Sequence, residues 1–311
     1  IALIEWMAKN RLNVLSAPLN YQHENRFRWD DVREKLAPEV QRRGLVIEVG
    51  GHGYENFLHH EMFFDEHPDW FALLNGKRSR NPHAVFNTAK PAAMRMFVTR
   101  VVAWLREHPE VNIFSLLPPD GTLWSEDAAS RRQGSPSRRQ ALVTLSVWRA
   151  LKRNKLSVML STSAYYNHAN YPENLRIPSD VMVDISPFFH SYREPIFDPT
   201  VKHNPSHLKE LRQWIRKHDG PVSFYSYYRK YFWMSKPVIF PGLMWSEMSY
   251  MRDRDVVGIS MYSEPGDWLT YELQHYLHAQ LAADTAQDIN ALVQNYCEVR
   301  FGSGADAMAQ W

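Results

Sequence analysis

The feature that most constrains the fold is the alternation of short apolar runs with longer helical patterns. Seven runs have the length and composition of strands, and helical patterns separate most of them; they are "NVLSAPL", "LVIEVGGHG", "VNIFSLL", "LSVMLSTSAYY", "VMVDISPFF", "VSFYSYY" and "VVGISMYSE". Strands that alternate with helices are typical of parallel sheets whose crossovers pack on the sheet. The sequence therefore predicts an α/β fold.

The number of strands favours a (β/α)8 TIM-like barrel. A closed barrel needs eight strands, and the chain opens with "IALIEWMAKN", a helical pattern placed where the helix after a first strand would be. We therefore expect the first strand to lie upstream of Ile1. The rival is an open doubly wound sheet, but its Gly-rich phosphate loop is missing from the sequence. We predict one catalytic barrel domain over 1–311, with a long loop excursion over 54–88 and closing C-terminal helices.

Charge and composition exclude several classes of function. The net charge is +2, from 36 basic and 34 acidic residues, which gives no reason to expect a nucleic-acid partner. No run of 18 apolar residues is present, so we predict no membrane span. Cys297 is the one cysteine, which excludes a disulfide framework, and the 14 histidines show no metal-binding spacing. We expect neither a cofactor nor a metal, and the sequence leaves the oligomeric state open.

Asp120 is the first candidate catalytic residue. In "NIFSLLPPDGTLWSED" an apolar strand runs directly into two prolines, Asp120 and Gly121. On its own "PDG" is most often a simple turn. Active sites of such barrels, however, lie at the carboxyl ends of the strands. We therefore expect this rigid turn to present Asp120 to a cleft.

The other predicted strands also end in polar and aromatic residues, and aromatic residues make up 13% of the chain. Aromatic rings stack on sugars, and a pair of carboxyl groups can cleave a glycosidic bond. The candidate catalytic carboxylates are Asp120, Glu264 and Glu126. The candidate substrate-binding residues are His52, Tyr54, Glu55, Trp124, Tyr165, Tyr166, His190, Tyr225, Tyr227 and Trp268. If these strand ends converge, they form a carbohydrate site.

Several motifs resemble a known bacterial TIM-barrel family. They are "IEWMAKNRLNVL", "APEVQRRGLVIEVGGHGYENFL", "HPDWFALLNGKR", "LLPPDGTLW" and the C-terminal stretch "DWLTYELQHYLHAQLAADTAQDINALVQNYCEVRFG". Over nearly the whole chain they resemble the family called domain of unknown function 4838, which overlaps glycoside hydrolase family 163. More distantly, the arrangement looks like β-hexosaminidases and α-glucuronidases.

The resemblance implies a glycan substrate, endo-β-N-acetylglucosaminidase-like activity, a preceding small α/β domain, and export to the periplasm or cell surface. Catalysis assisted by the substrate's N-acetyl group would use one carboxylate to orient the amide and another as acid. Asp120 can be one of them, and Glu126, Glu55 and Glu264 are the candidates for the other. Similar proteins often have Asn-Asp where this chain has Pro119-Asp120. An inactive glycan-binding barrel is therefore the alternative, and a metal-dependent hydrolase is a distant third.

Overall fold

The structure is a computed structural model that describes residues 1–19, 28–230, 233, 236, 238–263 and 268–310. By its internal contacts the chain divides into two compact units. The first unit consists of 13–184 and 216–221, together with Ile1. The second consists of 2–12, 185–215 and 222–311.

The strands form a sheet whose order is the order of the chain, β1-β2-β5-β6-β7-β8-β9, as an α/β TIM-like fold requires. The pairings β1–β2, β2–β5, β5–β6 and β8–β9 are all parallel. The bounds are β1 Val14–Pro18, β2 Val46–His52, β5 Ile113–Leu117, β6 Met159–Tyr165, β7 Val181–Ser186, β8 Val222–Ser226 and β9 Gly258–Met261. All seven predicted strands are confirmed.

Helices connect most of these strands. Their bounds are α1 Ala2–Lys9, α2 Trp29–Arg42, α3 Tyr54–Phe57, α4 His60–Phe63, α5 Pro91–Glu107, α6 Ala128–Arg132, α7 Pro136–Arg153, α8 Asn204–Lys217, α9 Pro241–Arg252, α10 Glu272–Ala283, α11 Ile289–Phe301 and α12 Ala305–Gln310. Pro38 lies within α2, which continues past it as a single helix. Among the described residues, no helix is both long and apolar enough to cross a membrane.

Alternate residues of the strands in the first unit face the helices. Ile47 and Val49 of β2 and Phe114 and Leu116 of β5 are almost completely buried. The Phe114 ring lies 5.9 Å from the ring of Trp104 on α5, measured between centroids. Because side chains alternate along a strand, the residues between them lie on the opposite face, here called the inner face.

The inner face of the first unit carries polar and small residues. Glu48, Gly50 and His52 follow one another along β2, with Ser115 on the neighbouring β5. A Cβ on Gly50 would lie 2.0 Å from the carbonyl oxygen of Ser115, so only glycine allows the two strands to approach here. The inner face therefore leads from Glu48 towards His52 at the carboxyl end of β2.

The excursion over 54–88 is ordered by short elements of its own. Besides α3 and α4 it contains a 3-10 turn at Pro68–Trp70 and a hairpin of β3 Leu73–Leu74 with β4 Lys77–Arg78. Asn75 and Gly76 join the two strands with φ of 48° and 76°. Two successive positive φ angles are typical of the tight hairpin turn that "Asn-Gly" favours. The loop predicted over 54–88 therefore contains a hairpin at "NGKR".

The second unit has its own hydrophobic core. Tyr228 from the segment after β8 packs there with Met244 and Met248 of α9 and with Leu277 and Leu281 of α10. Leu292 of α11 completes the cluster. Helices α9, α10 and α11 thus bury their apolar sides on residues that follow β8.

Candidate active site

The carboxyl ends of three neighbouring strands meet in the first unit. His52 is the last residue of β2, Leu117 ends β5, and Tyr165 is the last residue of β6. His52 is in register with Leu117, and Asp120 follows Leu117 by three residues. Because β2, β5 and β6 are adjacent and parallel, their ends deliver these side chains to one edge of the sheet.

A tight turn holds Asp120 at this edge. The backbone N–H of Thr122 donates to the carbonyl of Pro119 at 3.1 Å, which closes the turn around Asp120 and Gly121. Gly121 has a φ of +81°, which glycine adopts without a steric penalty. Thr122 follows at +41°, a conformation that β-branched residues rarely take. The segment that carries Asp120 is thus a hydrogen-bonded turn, and the role of Asp120 in it stays a prediction.

The Asp120 carboxylate has defined neighbours and remains accessible. Its Oδ1 accepts hydrogen bonds from the Gly121 N–H at 2.9 Å and from the Tyr165 hydroxyl at 3.2 Å. The Asp120 side chain is 55% exposed, and His52 Nε2 lies 4.0 Å from the same Oδ1. His52 Nδ1 donates to the carbonyl of Pro118 at 2.6 Å, because a carbonyl can only accept. This contact fixes which ring nitrogen of His52 faces Asp120.

His83 supports the turn from the excursion. Its Nδ1 donates to the backbone carbonyl of Asp120 at 2.7 Å. Its own carbonyl accepts from the N–H of Leu123 at 3.0 Å. The sequence carries no signal for His83, which is 37 residues from Asp120 and is brought to it only by the tertiary fold.

Aromatic residues flank the turn. The Trp124 indole N–H donates to Oδ1 of Asn167 at 3.2 Å. Tyr166 is 52% exposed with a φ of 47°, and its ring centroid lies 6.2 Å from that of Tyr165. The exposed ring of Tyr166 and the half-buried ring of Trp124 are flat apolar surfaces suited to stacking on a sugar.

Tyr54 and Glu55, also predicted to bind substrate, have other partners within the first unit. Tyr54 is 2% exposed, and its hydroxyl donates to Oε1 of Gln140 at 2.7 Å. Burial raises the pKa of the Tyr54 hydroxyl. Oε1 of Glu55 accepts from the N–H of His60 at 3.1 Å, at the start of α4. The structure thus places Tyr54 in the core and Glu55 at a helix terminus.

Two of the candidate partner carboxylates, Glu126 and Glu55, accept hydrogen bonds from backbone N–H groups of the excursion. The Oε2 of Glu126 accepts from the N–H of Asn75 at 2.9 Å, so this carboxylate binds the turn of the β3–β4 hairpin. Glu264 lies outside the described residues. The choice of a second catalytic carboxylate therefore stays a prediction.

The remaining predicted residues belong to the second unit. His190 is fully buried, with Nε2 3.1 Å from Oε1 of Glu247. The rings of Tyr225 and Tyr227 lie 5.1 Å apart, and Trp268 stacks on His275 at 4.5 Å. Within that unit, these residues form ring and ion-pair contacts; their role in binding a ligand stays a prediction.

Glu48 is a carboxylate on the inner face that the sequence analysis missed. Burial raises its pKa, and hydrogen bonds from Ser16 and Ser115 act in the opposite direction. A single acidic residue inside an apolar strand gives no sequence signal beyond its own presence. Among the described residues, no cluster of three His, Cys, Asp or Glu side chains is arranged to hold a metal ion.

Comparison with protein families settles the membership of the chain. Residues 4–311 match the family model described as domain of unknown function, DUF4838. The chain belongs to this family. A comparison with curated proteins found no match.

Solved structures similar to this DUF4838 chain are glycoside hydrolases. A mutant of the O-GlcNAc hydrolase of Thermobaculum terrenum is 13% identical with a TM-score of 0.62, over 99% of this chain and 61% of that one. The GH20 catalytic module of the pneumococcal exo-β-D-N-acetylglucosaminidase StrH is 9% identical with a TM-score of 0.52, over 99% and 91%. An endo-β-1,4-glucanase of Xanthomonas axonopodis pv. citri is 13% identical with a TM-score of 0.50, over 88% and 89%.

These likenesses show the fold. The DUF4838 chain has the TIM-like fold of carbohydrate-active hydrolases, and it spans 61% of the length of the O-GlcNAc hydrolase. The identities are too low to transfer a substrate or a mechanism.

Proposed function

We propose that the chain is the catalytic domain of a retaining glycoside hydrolase acting on glycans that contain N-acetylhexosamine. Asp120 is one of its two catalytic carboxylates. The observation that carries the proposal is the accessible Asp120 carboxylate, fixed by a tight turn at the carboxyl edge of the sheet with Tyr165 and His52 beside it. The edge where Asp120 lies is the one that TIM-barrel enzymes use for catalysis.

The geometry suits Asp120 to the role of orienting an acetamido group. Both of its side-chain hydrogen bonds end on Oδ1, and within the described residues Oδ2 accepts none. Oδ2 would accept the N–H of the 2-acetamido group, which turns the acetamido oxygen towards the anomeric carbon. Attack by that oxygen displaces the leaving group with inversion, and water then opens the cyclic intermediate with a second inversion, so that the configuration is retained.

A second carboxyl group must protonate the departing glycosidic oxygen. We keep Glu264 and Glu126 for this role and Glu55 as a less favoured third. The names of two similar structures, an O-GlcNAc hydrolase and an exo-β-D-N-acetylglucosaminidase, support N-acetylglucosamine as the sugar. The resemblance of the motifs supports an endo-acting, exported enzyme in the periplasm or outside the cell.

The test replaces Asp120 by Asn and measures turnover of nitrophenyl N-acetylglucosaminides and of N-glycans. Loss of the orienting carboxylate should lower kcat on both substrates by about 10² or more. The exposed Glu61→Gln variant is the matched control and should keep wild-type turnover. Unchanged turnover of Asp120→Asn would remove Asp120 from the mechanism.

Comparing nitrophenyl N-acetylglucosaminides with N-glycans also identifies the carboxyl group that acts as the catalytic acid. A variant that lacks the acid should fail on N-glycans, whose leaving group needs a proton, yet keep activity on nitrophenyl glycosides, whose leaving group does not. Glu264→Gln and Glu126→Gln are the variants to compare. If both retain full activity on N-glycans, neither residue is the acid.

One observation favours a second function, a glycan-binding domain without catalysis. Pro119 stands where similar proteins often have a polar neighbour of the aspartate, and it is buried with only its carbonyl engaged in the turn. Binding of N-glycans measured by calorimetry, with no product detectable by mass spectrometry after prolonged incubation, would favour this reading over hydrolysis.

A further inference from the structure

Asn167 connects the Asp120 turn to the end of β6. Its Nδ2 donates to the carbonyl of Thr122 at 2.9 Å, and its Oδ1 accepts from the indole N–H of Trp124 at 3.2 Å. Thr122 and Trp124 are two and four residues after Asp120. One amide group therefore holds two points of the same loop.

The orientation of this amide is forced by its partners. An indole N–H can only donate and a backbone carbonyl can only accept. Turning the Asn167 amide over would place its NH2 against the Trp124 N–H and its oxygen against the Thr122 oxygen. Both contacts would be lost, so a single orientation serves both partners.

His168 supports Asn167 from within the core. His168 is 1% exposed, with Nδ1 3.4 Å from Oδ1 of Asn167 and Nε2 3.2 Å from Oγ of Ser163. Because Oδ1 accepts, Nδ1 must carry the proton, and Nε2 then accepts from the Ser163 hydroxyl. Burial, with a smaller contribution from the charge of His52, lowers the pKa of His168 to about 3. The ring stays neutral and keeps this one tautomer near neutral pH.

The same histidine also contacts the ring that binds Asp120. The centroids of His168 and Tyr165 lie 6.0 Å apart in an edge-to-face arrangement, and the Tyr165 hydroxyl donates to Oδ1 of Asp120. The Asn167–His168 pair thus reaches Asp120 by two routes. One runs through the backbone of Thr122, and the other runs through the ring of Tyr165.

We propose that Asn167, oriented by His168, is a positioning residue that fixes the Asp120 turn and the Trp124 ring for catalysis. This inference rests on the proposed function. The positive φ of Thr122 makes the turn costly to hold, and the Asn167 hydrogen bond to the Thr122 carbonyl keeps it in place. Without that bond the turn relaxes and the Asp120 carboxylate moves away from the position that orients the acetamido group.

The test compares Asn167→Ala and Asn167→Asp with the wild type. Asn167 is exposed, so its truncation opens no cavity, although it leaves the Nδ1–H of the buried His168 without its acceptor. The Asp variant keeps an acceptor for Trp124 but sets a carboxylate oxygen against the Thr122 carbonyl. We expect both to lower kcat by about 10- to 100-fold, with KM within about 3-fold of the wild type, because misplacement affects the reacting geometry. Thermal unfolding checks that both variants are folded at the assay temperature. Asn170→Ala, an exposed asparagine three residues further on, should keep wild-type kcat.

NMR spectroscopy tests the hydrogen bond between Asn167 and Trp124 independently of catalysis. In 15N-indole-labelled protein the Trp124 N–H signal, assigned from its loss in Trp124→Phe, should shift in Asn167→Ala and stay in place in Asn170→Ala. An unmoved signal would overturn the inference, and so would a moved signal with kcat within 2-fold of the wild type. Failure of the proposed function shows itself differently, as full activity of Asp120→Asn.

Discussion

Asp120 in the first unit and His190 in the second both follow a strand, but the two side chains are presented in opposite ways. In the first unit the side chain of Asp120, after β5, is 55% exposed. In the second unit His190, after β7, and its partner Glu247 on α9 are both 0% exposed. The sequence pattern is the same in the two units, a strand followed by acidic, histidine and tyrosine residues. The pattern therefore predicts where a strand ends. Whether the polar residues that follow it form a surface site or a network in the core depends on their burial.

Hydrogen bonding accounts for the difference. Both oxygens of Glu247 are engaged in the core, since Oε1 accepts from the Ile196 N–H at 2.6 Å and Oε2 from the Tyr228 hydroxyl at 2.8 Å. His190 Nε2 adds a contact at 3.1 Å. Asp120, in contrast, uses one carboxylate oxygen for its protein partners. A buried carboxylate with both oxygens bonded to core donors stabilises a fold, whereas an exposed one with an oxygen that accepts no hydrogen bond among the described residues can meet a ligand.

The largest effect on stability is expected from Glu247→Ala. The variant leaves the Ile196 N–H and the Tyr228 hydroxyl buried without an acceptor and His190 without its partner. At about 1–3 kcal/mol for each buried donor left without an acceptor, the loss of the Ile196 and Tyr228 hydrogen bonds lowers the free energy of unfolding by about 2–6 kcal/mol. Denaturant unfolding measures it, with Glu194→Ala as an exposed control in the same unit that should change little. A Glu247 variant as stable as the control would show that the network is not structural.

Acid should destabilise the second unit through a buried histidine. Burial, with a smaller contribution from the charge of His275, lowers the pKa of His278 to about 3. The unfolded chain binds this proton near pH 6.5, whereas the folded chain does not. Stability is therefore complete above about pH 6.5 and falls as the pH drops towards 3, by up to about 1.4 kcal/mol per pH unit for this residue.

The His278→Gln variant separates the pH dependence of stability caused by His278 from that caused by the other titrating groups. As the pH is lowered from 7 to 4, the free energy of unfolding should fall less steeply in the variant than in the wild type. The two slopes should differ by about 1.4 kcal/mol per pH unit, the value for one proton. Identical slopes would mean that His278 takes up its proton without unfolding. His278, buried in the second unit, thus contrasts with His52, whose side chain is 32% exposed at the candidate site.

The sequence predicts those features of this fold that depend on local patterns. Strand positions follow from apolar runs, and Asp120 follows from a Pro/Gly turn placed after one of them. His83 was missed because its contact with Asp120 spans 37 residues, and Glu247 was missed because a glutamate on a helix looks like a surface residue until its partners are known. Tyr54 shows the converse, since its place after a strand indicated a site residue but its ring lies in the core.

The smallest effect, and the sharpest test of the Asp120 turn, is expected from paired glycine variants. Gly121 and Gly44 have φ angles of +81° and +69°. A Cβ at Gly121 would meet His83 atoms only at 3.7 Å, and one at Gly44 would meet nothing within 4 Å. In both cases the cost of Ala is therefore conformational, about 1 kcal/mol of unfolding free energy. Gly121→Ala should also lower turnover, because it strains the turn that carries Asp120, whereas Gly44→Ala, which lies after α2, should not. Equal turnover in the two variants, measured beside their unfolding curves, would mean that the conformation of this turn does not matter to catalysis.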